Sequence, residues 1–379
     1  MPDVLICADT IRSPEMRHEV PATVIDPFLY LERDGIRHVV VSSTDVPLIE
    51  EVGEYVIHVP EKFGLDELRR TSSSWDEMFA EIAVRAVRAV GIERAIVPDT
   101  FPLLLADRLR AAGLELTPDG EAFSDRRRAK SAAELAGIRR AQAAAEAGMA
   151  AARDLLAAGV PDTDGILRAG GMPVTSERLR VAVATTFLAH GAAADEFITS
   201  HGPQTAIGHH FGEGPIRAGE PVVVDLWPRD VRSSCFTDMT RTFVAGEPPA
   251  EVAEWHRFCV EWLHLALAEI RPGVTGKSVY DAVADRVEAA GFTTQRSKQE
   301  GDLLDDGMVY SLGHGVGLEL HEAPTLGLLG HAPLVAGDVL AVEPDLSRAG
   351  AYGVRVEDIV LVTADGCEQM TSFPYDLVV

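Results

Sequence analysis

The stretch that decides the fold runs from residue 313 to residue 324 and reads Gly-His-Gly-Val-Gly-Leu-Glu-Leu-His-Glu-Ala-Pro. It places His314 and His321 seven residues apart, among glycines that let other groups approach the backbone closely. His321-Glu322 begins like a helical zinc-binding motif, but Pro324 would break the helix. Thr325 also stands where that motif needs its second histidine. We therefore expect the two histidines to belong to a site of another kind.

Four short β-like runs elsewhere in the chain each carry a carboxylate. Asp225 ends the run Val-Val-Val-Asp, and Asp238 begins Asp-Met-Thr-Arg-Thr-Phe. Glu343 lies in Leu-Ala-Val-Glu-Pro, and Glu357 lies in Val-Arg-Val-Glu-Asp-Ile-Val-Leu. A carboxylate in an apolar strand costs free energy unless it is paired or bound to a metal. Four such residues together with His314 predict a site that holds two ions.

This donor set is rich in oxygen and contains one imidazole. Such a set favours Mn²⁺, Fe²⁺, Co²⁺ or Mg²⁺ over a thiolate-type zinc site. Two divalent ions bridged by carboxylates can share one hydroxide and polarise a carbonyl group. They can also stabilise the oxyanion that forms when the carbonyl is attacked. The donor set therefore indicates hydrolysis of an amide-like bond.

Composition limits the class of protein. The chain has 379 residues, of which 46% are hydrophobic, and a formal net charge of −25. So acidic a surface argues against nucleic acid or an anionic membrane as a partner. The sequence contains no run of eighteen apolar residues and no signal peptide pattern, and its four cysteines are scattered without a CxxC pair. We expect a cytoplasmic protein with reduced thiols.

Two domains are expected. Residues 1–125 alternate strand-like runs with helical ones, including a helix from Trp75 to Val90 that stops at Gly91, which is typical of an α/β unit. The basic run 125–130 is interpreted as a solvated surface at the junction, with an anion-binding patch as the less favoured reading. A helix follows from Ser131 to about residue 158, with Ser131 and Glu134 forming a capping box.

Residues 126–379 form the second predicted domain. Short β runs are predicted at 197–200, 221–226, 236–244, 337–343 and 353–362, and further helices at 176–189, 249–270 and 276–290. This mixture indicates an α+β domain with a largely antiparallel sheet and flanking helices.

The five motif segments, in this order along the chain, resemble the metallopeptidases with the pita-bread fold, peptidase family M24. That family includes Xaa-Pro aminopeptidase, prolidase, methionine aminopeptidase and creatinase. The resemblance covers about residues 125–379. Residues 1–125 resemble a creatinase-type N-terminal domain only by length and α/β pattern. The resemblance therefore implies an α/β N-terminal domain followed by an α+β pita-bread catalytic domain.

The resemblance also implies a role for each matched residue. Asp225 would bind one metal through both carboxylate oxygens, and Asp238 and Glu357 would bridge the two metals. His314 and Glu343 would complete the second metal site. Glu343 would also act as general base toward the bridging water and then pass the proton to the leaving nitrogen.

Further residues are assigned to catalysis and substrate binding in the same way. His321 would hydrogen-bond the scissile carbonyl or the tetrahedral intermediate. His209 matches the upstream family histidine that contacts substrate, and the adjacent His210 is the alternative. Arg355 lies two residues before Glu357, so strand alternation would put both on one face. There Arg355 would orient Glu357 or meet a substrate carboxylate.

One departure bears on the substrate. Family members follow the first aspartate with a small residue and glycine, whereas Asp225 is followed by Leu-Trp-Pro, so Trp227 is expected to reshape the substrate pocket.

The expected activity is hydrolysis of Xaa-Pro bonds in small peptides through a hydroxide that bridges two metals, by a homodimer. Mn²⁺ is the expected ion, with Co²⁺, Fe²⁺ or Zn²⁺ as alternatives. Whether the enzyme is a dipeptidase or an aminopeptidase is left open. A hydrolase of a non-peptide amide, a metal-dependent dimethylsulfoniopropionate lyase and a metal-free binding module are the other readings.

Overall fold

A computed structural model describes residues 2–379. The chain divides into two compact units, residues 1–127 and residues 128–379. Each unit has hydrophobic clusters of its own. None of the helices in residues 2–379 combines the length and the hydropathy needed to cross a bilayer.

Unit 1 is built on one six-stranded sheet. The strands lie in the order β4-β3-β2-β1-β5-β6, in which β2 is antiparallel to both of its neighbours and the other pairs are parallel. The strands are β1 Val4–Ala8, β2 Phe28–Arg33, β3 Ile36–Val40, β4 Val56–His58, β5 Arg94–Val97 and β6 Glu115–Pro118.

The helices of unit 1 are α1 Pro14–Glu19, α2 Val46–Glu50, α3 Leu65–Thr71, α4 Trp75–Val90, α5 Leu103–Ala111 and α6 Gly120–Arg128, with one 3₁₀ turn at Pro60–Phe63. Helix α4 shows why the local prediction is confirmed. Ser74 caps its first turn by accepting a hydrogen bond from the Glu77 amide, and Gly91 ends it with φ of 83°, a conformation that costs glycine little.

Unit 2 contains several small sheets instead of one large sheet. A three-stranded sheet has the order β11-β12-β14, another has the order β15-β19-β20, and a five-stranded sheet has the order β17-β16-β18-β21-β22. All pairs in these sheets are antiparallel, as predicted. The strands are β7 Val160–Pro161, β8 Leu167–Ala169, β9 Met172–Pro173, β10 Ala192–Ala193, β11 Ile198–His201, β12 Pro221–Leu226, β13 Arg229–Asp230, β14 Met239–Val244, β15 Asp306–Gly307, β16 Gly313–Gly315, β17 Glu322–Leu326, β18 Val339–Val342, β19 Asp345–Arg348, β20 Gly353–Arg355, β21 Asp358–Val362 and β22 Cys367–Gln369.

The helices of unit 2 follow the predicted ranges closely. They are α7 Ala132–Ala157, α8 Ser176–Ala189, α9 Ala250–Glu269 and α10 Gly276–Ala289, with a 3₁₀ turn at Gly202–Ala206. The capping box of α7 is confirmed, because Ser131 and Glu134 each accept a hydrogen bond from the other's backbone amide. Helices α9 and α10 pack on the sheets through Trp255, Leu263, Tyr280 and other fully buried side chains.

Two predictions are wrong. The run 353–362 is not one strand, because β20 ends at Arg355 and belongs to a different sheet from β21, which starts at Asp358. The chain passes from one sheet to the other at residues 356–357, so strand alternation does not relate Arg355 to Glu357.

The basic run 125–130 is also not a solvated surface. Arg128 is paired with Asp338 and Lys130 with Glu322, and Lys130 is buried. Burial favours such pairing, since a charge removed from water needs a partner of opposite sign.

Candidate metal centre

The ends of the short antiparallel strands of unit 2 bring the five predicted ligands together. Asp225 lies near the end of β12, and Asp238 immediately precedes β14, its neighbour in the same sheet. His314 lies in β16, Glu343 immediately follows β18, and Glu357 immediately precedes β21, all in the five-stranded sheet. Backbone hydrogen bonds fix two of these positions, from the Glu343 amide to the Leu312 carbonyl (2.8 Å) and from the Glu357 amide to the Thr240 carbonyl (3.0 Å).

The side-chain donor atoms form overlapping groups. One oxygen from each of Asp225, Asp238 and Glu357 lies within 4.8 Å of the others, and so do donor atoms of His314, Glu343 and Glu357. Asp238, His314 and His321 form a third group by the same measure. Glu357 belongs to two groups and so does Asp238, so both are placed where a carboxylate could bridge neighbouring ions.

The imidazole of His314 is oriented for metal binding. Its Nδ1 lies 3.0 Å from the Gly315 carbonyl oxygen, which can only accept, so Nδ1 carries the proton. The unprotonated Nε2 then faces Glu343 Oε1 at 3.6 Å and Asp238 Oδ2 at 3.8 Å. A backbone carbonyl that fixes the tautomer in this way is typical of histidine metal ligands.

The residues present fit a pair of hard divalent ions. Asp238 Oδ1 is fully buried and has no hydrogen-bond donor among residues 2–379. A buried carboxylate oxygen without a donor is costly, and a cation would satisfy it. The set of four carboxylates and one imidazole also matches the ligands preferred by Mn²⁺, Fe²⁺ or Co²⁺.

The electrostatics of these residues agree with this fit. Burial raises the pKa of Asp238 well above its usual value, and the charges of Glu357, Asp225 and Glu343 add to the effect. Burial and the charges of Glu343 and Asp225 likewise raise the pKa of Glu357. Burial raises the pKa of Glu343 to about 8, although the charge of Arg355 opposes this. Burial, with a contribution from His321, lowers the pKa of His314 to about 4. The raised carboxyl pKa values show that the site concentrates negative charge that a cation would offset, and the lowered pKa of His314 leaves its imidazole neutral and able to bind a metal.

His321 lies beside the ligand groups. Its ring meets that of His314 edge to face with 4.2 Å between the centroids. Burial lowers the pKa of His321, with a further lowering by His209 and an opposing effect of Asp225. His321 is therefore neutral at pH 7 and has one ring N–H to donate.

The two adjacent histidines of the upstream segment point to different surroundings. His209 lines the same cavity as the ligand groups, and its ring lies 6.2 Å from that of Tyr310. His210 does not line that cavity, and its Nδ1 accepts a hydrogen bond from the Gly212 amide at 3.0 Å. This geometry favours His209 over His210 as the residue that meets substrate.

The expectation that Arg355 orients Glu357 is not met. Arg355 Nη1 donates to Asp225 Oδ2 at 2.8 Å and lies 3.5 Å from Glu343 Oε2. Thr240 Oγ1 instead donates to Glu357 Oε2 at 2.7 Å. The physical reason is the break between β20 and β21, which sends Arg355 toward the β12 side of the site.

The region that supplies these ligands matches a known protein family. The profile described as metallopeptidase family M24 matches residues 136–364. The chain belongs to metallopeptidase family M24. This range includes all five candidate ligands.

Curated M24 relatives align over part of their length. The probable dipeptidase PepE of Mycobacterium tuberculosis is 33% identical over 199 residues, which are 52% of this chain and 50% of that protein. The Xaa-Pro dipeptidase of Pyrococcus furiosus is 30% identical over 185 residues, 48% of this chain and 49% of that protein. The chain thus spans about half the length of the curated relatives it matches.

A solved structure resembles nearly the whole of this chain in fold. The X-Pro aminopeptidase of Thermotoga maritima superposes with a TM-score of 0.79 over 99% of this chain and 97% of that one, at 21% identity. This match concerns the fold. It confirms the predicted arrangement of an α/β N-terminal domain and an α+β pita-bread catalytic domain.

The M24 site opens into a cavity of about 520 Å³. Trp227 lines this cavity, so the residue that departs from the family pattern does meet the site. The sequence reasoning missed several lining residues: Glu196, Ile198, Phe211, Tyr310, Ser311 and Leu320. It also missed Thr240, which a period of two from Asp238 along β14 would have found. Tyr310 carries no comparable signal, although Arg355 lies over its ring at 5.5 Å.

Proposed function

We propose that this chain hydrolyses the Xaa-Pro bond of small peptides with two divalent metal ions held by Asp225, Asp238, His314, Glu343 and Glu357. The observation that carries the proposal is the pair of overlapping donor groups that share Glu357, inside the region that matches family M24. Relatives named Xaa-Pro dipeptidase and X-Pro aminopeptidase support the choice of bond.

Divalent ions in this site would polarise the scissile carbonyl and lower the pKa of the attacking water. The residues of the chain have separate tasks. Glu343 would take the proton of that water and later give it to the leaving nitrogen. The guanidinium of Arg355, 3.5 Å from Glu343 Oε2, favours the ionised form that a base needs.

His321 and His209 would act on the substrate itself. The neutral His321 would donate its ring proton to the carbonyl oxygen, where negative charge develops. His209 would contact substrate from the part of the lining near Tyr310. Trp227 and Arg355 would line the pocket for the substrate's side chain and its carboxylate.

The proposal also covers the metal, the assembly, the location and the domain boundaries. We propose Mn²⁺ as the working ion, with Co²⁺, Fe²⁺ or Zn²⁺ as substitutes, a homodimer as the assembly and the cytoplasm as the location. We also propose that residues 126–379 are the catalytic domain and residues 1–125 the N-terminal domain.

The test uses metal-free protein reconstituted with Mn²⁺. Release of free alanine is measured from the dipeptide Ala-Pro and from the tripeptide Ala-Pro-Ala, with Ala-Ala as the control for proline dependence. Cleavage of Ala-Pro alone would identify a dipeptidase, and cleavage of Ala-Pro-Ala alone an aminopeptidase. If two ions bind and neither peptide is cleaved, the Xaa-Pro assignment is wrong. Non-peptide amides and acrylate release from dimethylsulfoniopropionate would then be assayed.

A further inference from the structure

A buried ion pair lies directly beside His321 in the sequence. Lys130 Nζ donates to Glu322 Oε1, although 192 residues separate the two along the chain. The side chains of Lys130 and Glu322 are only 2% and 3% exposed. Taking two charges out of water is costly, and an apolar pair of similar volume is often as stable. The cost suggests that the pair has a task other than stability.

The backbone at Lys130 is held by hydrogen bonds. The Lys130 amide donates to the Gly337 carbonyl at 3.3 Å. The next residue, Ser131, begins the capping box of α7 with Glu134. These contacts fix the backbone from which the Lys130 side chain extends.

The glutamate end is packed into the turn that carries His321. The other oxygen of Glu322 accepts a hydrogen bond from the Glu319 amide at 3.4 Å. The Gly317 amide donates to the Glu319 carbonyl within this turn. A side chain at residue 317 would clash with the ion pair, because a methyl group on its Cα would lie 2.8 Å from both Glu322 Oε1 and Lys130 Cε. The ion pair thus fills the inner side of the turn 317–322.

We infer that Lys130 is a positioning residue that holds His321 in place through Glu322. The His321 side chain lines the cavity of the metal centre, and its ring contacts that of His314. The ion pair packs against the turn that leads to His321, so it restrains the backbone next to His321. This inference rests on the proposed function, since it assigns the pair to the residue that would bind the scissile carbonyl.

The test separates position from stability. Lys130→Met and Glu322→Gln each break the pair, whereas Lys130→Met/Glu322→Leu replaces it by an apolar contact that needs no charge partner. Arg128→Met is the matched control, because it breaks another buried pair, Arg128 with Asp338, only two residues away. We expect kcat for the best Xaa-Pro substrate to fall about 10- to 100-fold in all three pair variants, as for a small misplacement of a catalytic group. KM should change less than about threefold, both metals should stay bound, and Arg128→Met should keep the wild-type kcat.

A second readout does not need turnover. The ring signals of ¹³C,¹⁵N-histidine are recorded in protein loaded with diamagnetic Zn²⁺, and the His321 signal is assigned by its loss in His321→Gln. We expect this signal to shift or broaden in the pair variants and to stay in place in Arg128→Met. If wild-type protein cleaves no Xaa-Pro peptide, the proposed function fails, and the spectrum still decides the positioning role. A wild-type kcat or an unmoved His321 signal in Lys130→Met/Glu322→Leu would overturn the inference, and so would loss of metal in that variant.

Discussion

Removal of one carboxylate from the metal centre should stabilise the metal-free protein. Asp238 is the residue to change, because its donor oxygen lies within 4.8 Å of those of Asp225 and Glu357 and all three side chains are buried. Without cations, burial and the neighbouring negative charges raise the pKa of Asp238 well above its usual value. Asp238→Asn removes the charge and keeps the shape.

In the folded, metal-free protein Asp238 can be either ionised or protonated. The form with the lower free energy sets the gain in stability that Asp238→Asn should give. Taking the Asp238 carboxylate out of water costs several kcal/mol. Two unit charges 4.8 Å apart in a medium of effective dielectric constant 20 repel each other by about 3.5 kcal/mol, so an ionised Asp238 beside even one ionised neighbour would cost more than about 5 kcal/mol. Asp238 escapes this by binding a proton, which at pH 7 costs about 4.4 kcal/mol for a group whose ordinary pKa is 3.8. Protonation is cheaper, so Asp238→Asn should gain up to about 4 kcal/mol at pH 7.

The gain should depend on pH in a defined direction. A carboxyl group whose pKa is raised in the folded protein is protonated in both the folded and the unfolded protein below its ordinary pKa, so it does not lower the free energy of unfolding there. Above its ordinary pKa only the unfolded protein releases the proton freely, so the free energy of unfolding falls as the pH rises toward the raised value. The difference between Asp238→Asn and wild type should therefore be near zero at pH 4 and largest at neutral pH. With metal present the order should reverse, because only wild type gains the full free energy of binding.

Differential scanning calorimetry of EDTA-treated protein at pH 4 and pH 7 tests this. The transition of the metal-binding unit is identified by its response to added Mn²⁺. For a unit of this size, up to about 4 kcal/mol corresponds to a rise in Tm of up to roughly 8 to 16 °C. The control Asp154→Asn alters an exposed aspartate and should change the free energy of unfolding by less than about 0.5 kcal/mol. A metal-free Asp238→Asn protein that melts at or below wild type at pH 7 would refute the reasoning.

Three further changes should have distinct effects. His321→Gln should lower kcat by about 10²- to 10³-fold with two metals still bound, as for the loss of one oxyanion donor, while His190→Gln on an exposed helix end should not. Turnover and metal content measured together check this, and an unchanged kcat would remove His321 from the mechanism. Arg241→Met should lower the free energy of unfolding by about 3–5 kcal/mol in urea titrations, since it leaves the buried Asp358 carboxylate without its cation. A loss below about 1 kcal/mol would show that this buried pair contributes little. Ser131→Ala should cost about 1 kcal/mol through loss of the α7 cap, and Ser131→Asp should restore it; equal stability of all three proteins would contradict the capping role.

The parts of the fold that the sequence predicted well are those with local causes. Helix α4 has a serine cap at one end and a glycine at the other, and α7 has its capping box, all within a few residues of the helix they bound. The ligand residues could be predicted for a related reason. A carboxylate inside an apolar run is costly unless something binds it, and that argument needs no knowledge of the partner.

The parts that could not be predicted depend on partners distant in the chain. Arg355 pairs with Asp225, 130 residues away, because β20 and β21 belong to different sheets. Valines at 354, 356, 360 and 362 keep a period of two across the break, so the periodicity gives no sign of it. Lys130 likewise looks exposed in a basic run, although it is buried and pairs with Glu322, 192 residues later in the chain.

The charge of the metal centre explains why Arg355 takes Asp225 as its partner. When ionised, the carboxylates at 225, 238, 343 and 357 and the neighbouring Asp345 carry five negative charges, and Arg355 offsets one of them. One divalent ion would leave the cluster negative, whereas two would bring the sum of its charges to zero. Two divalent ions in a site without excess negative charge would attract a carboxylate-bearing peptide and favour loss of a proton from water. Asp225 belongs to one donor group, so an arginine bound to it would compete with one ion for a carboxylate. An arginine bound to Glu357, which belongs to two donor groups, would compete with two ions.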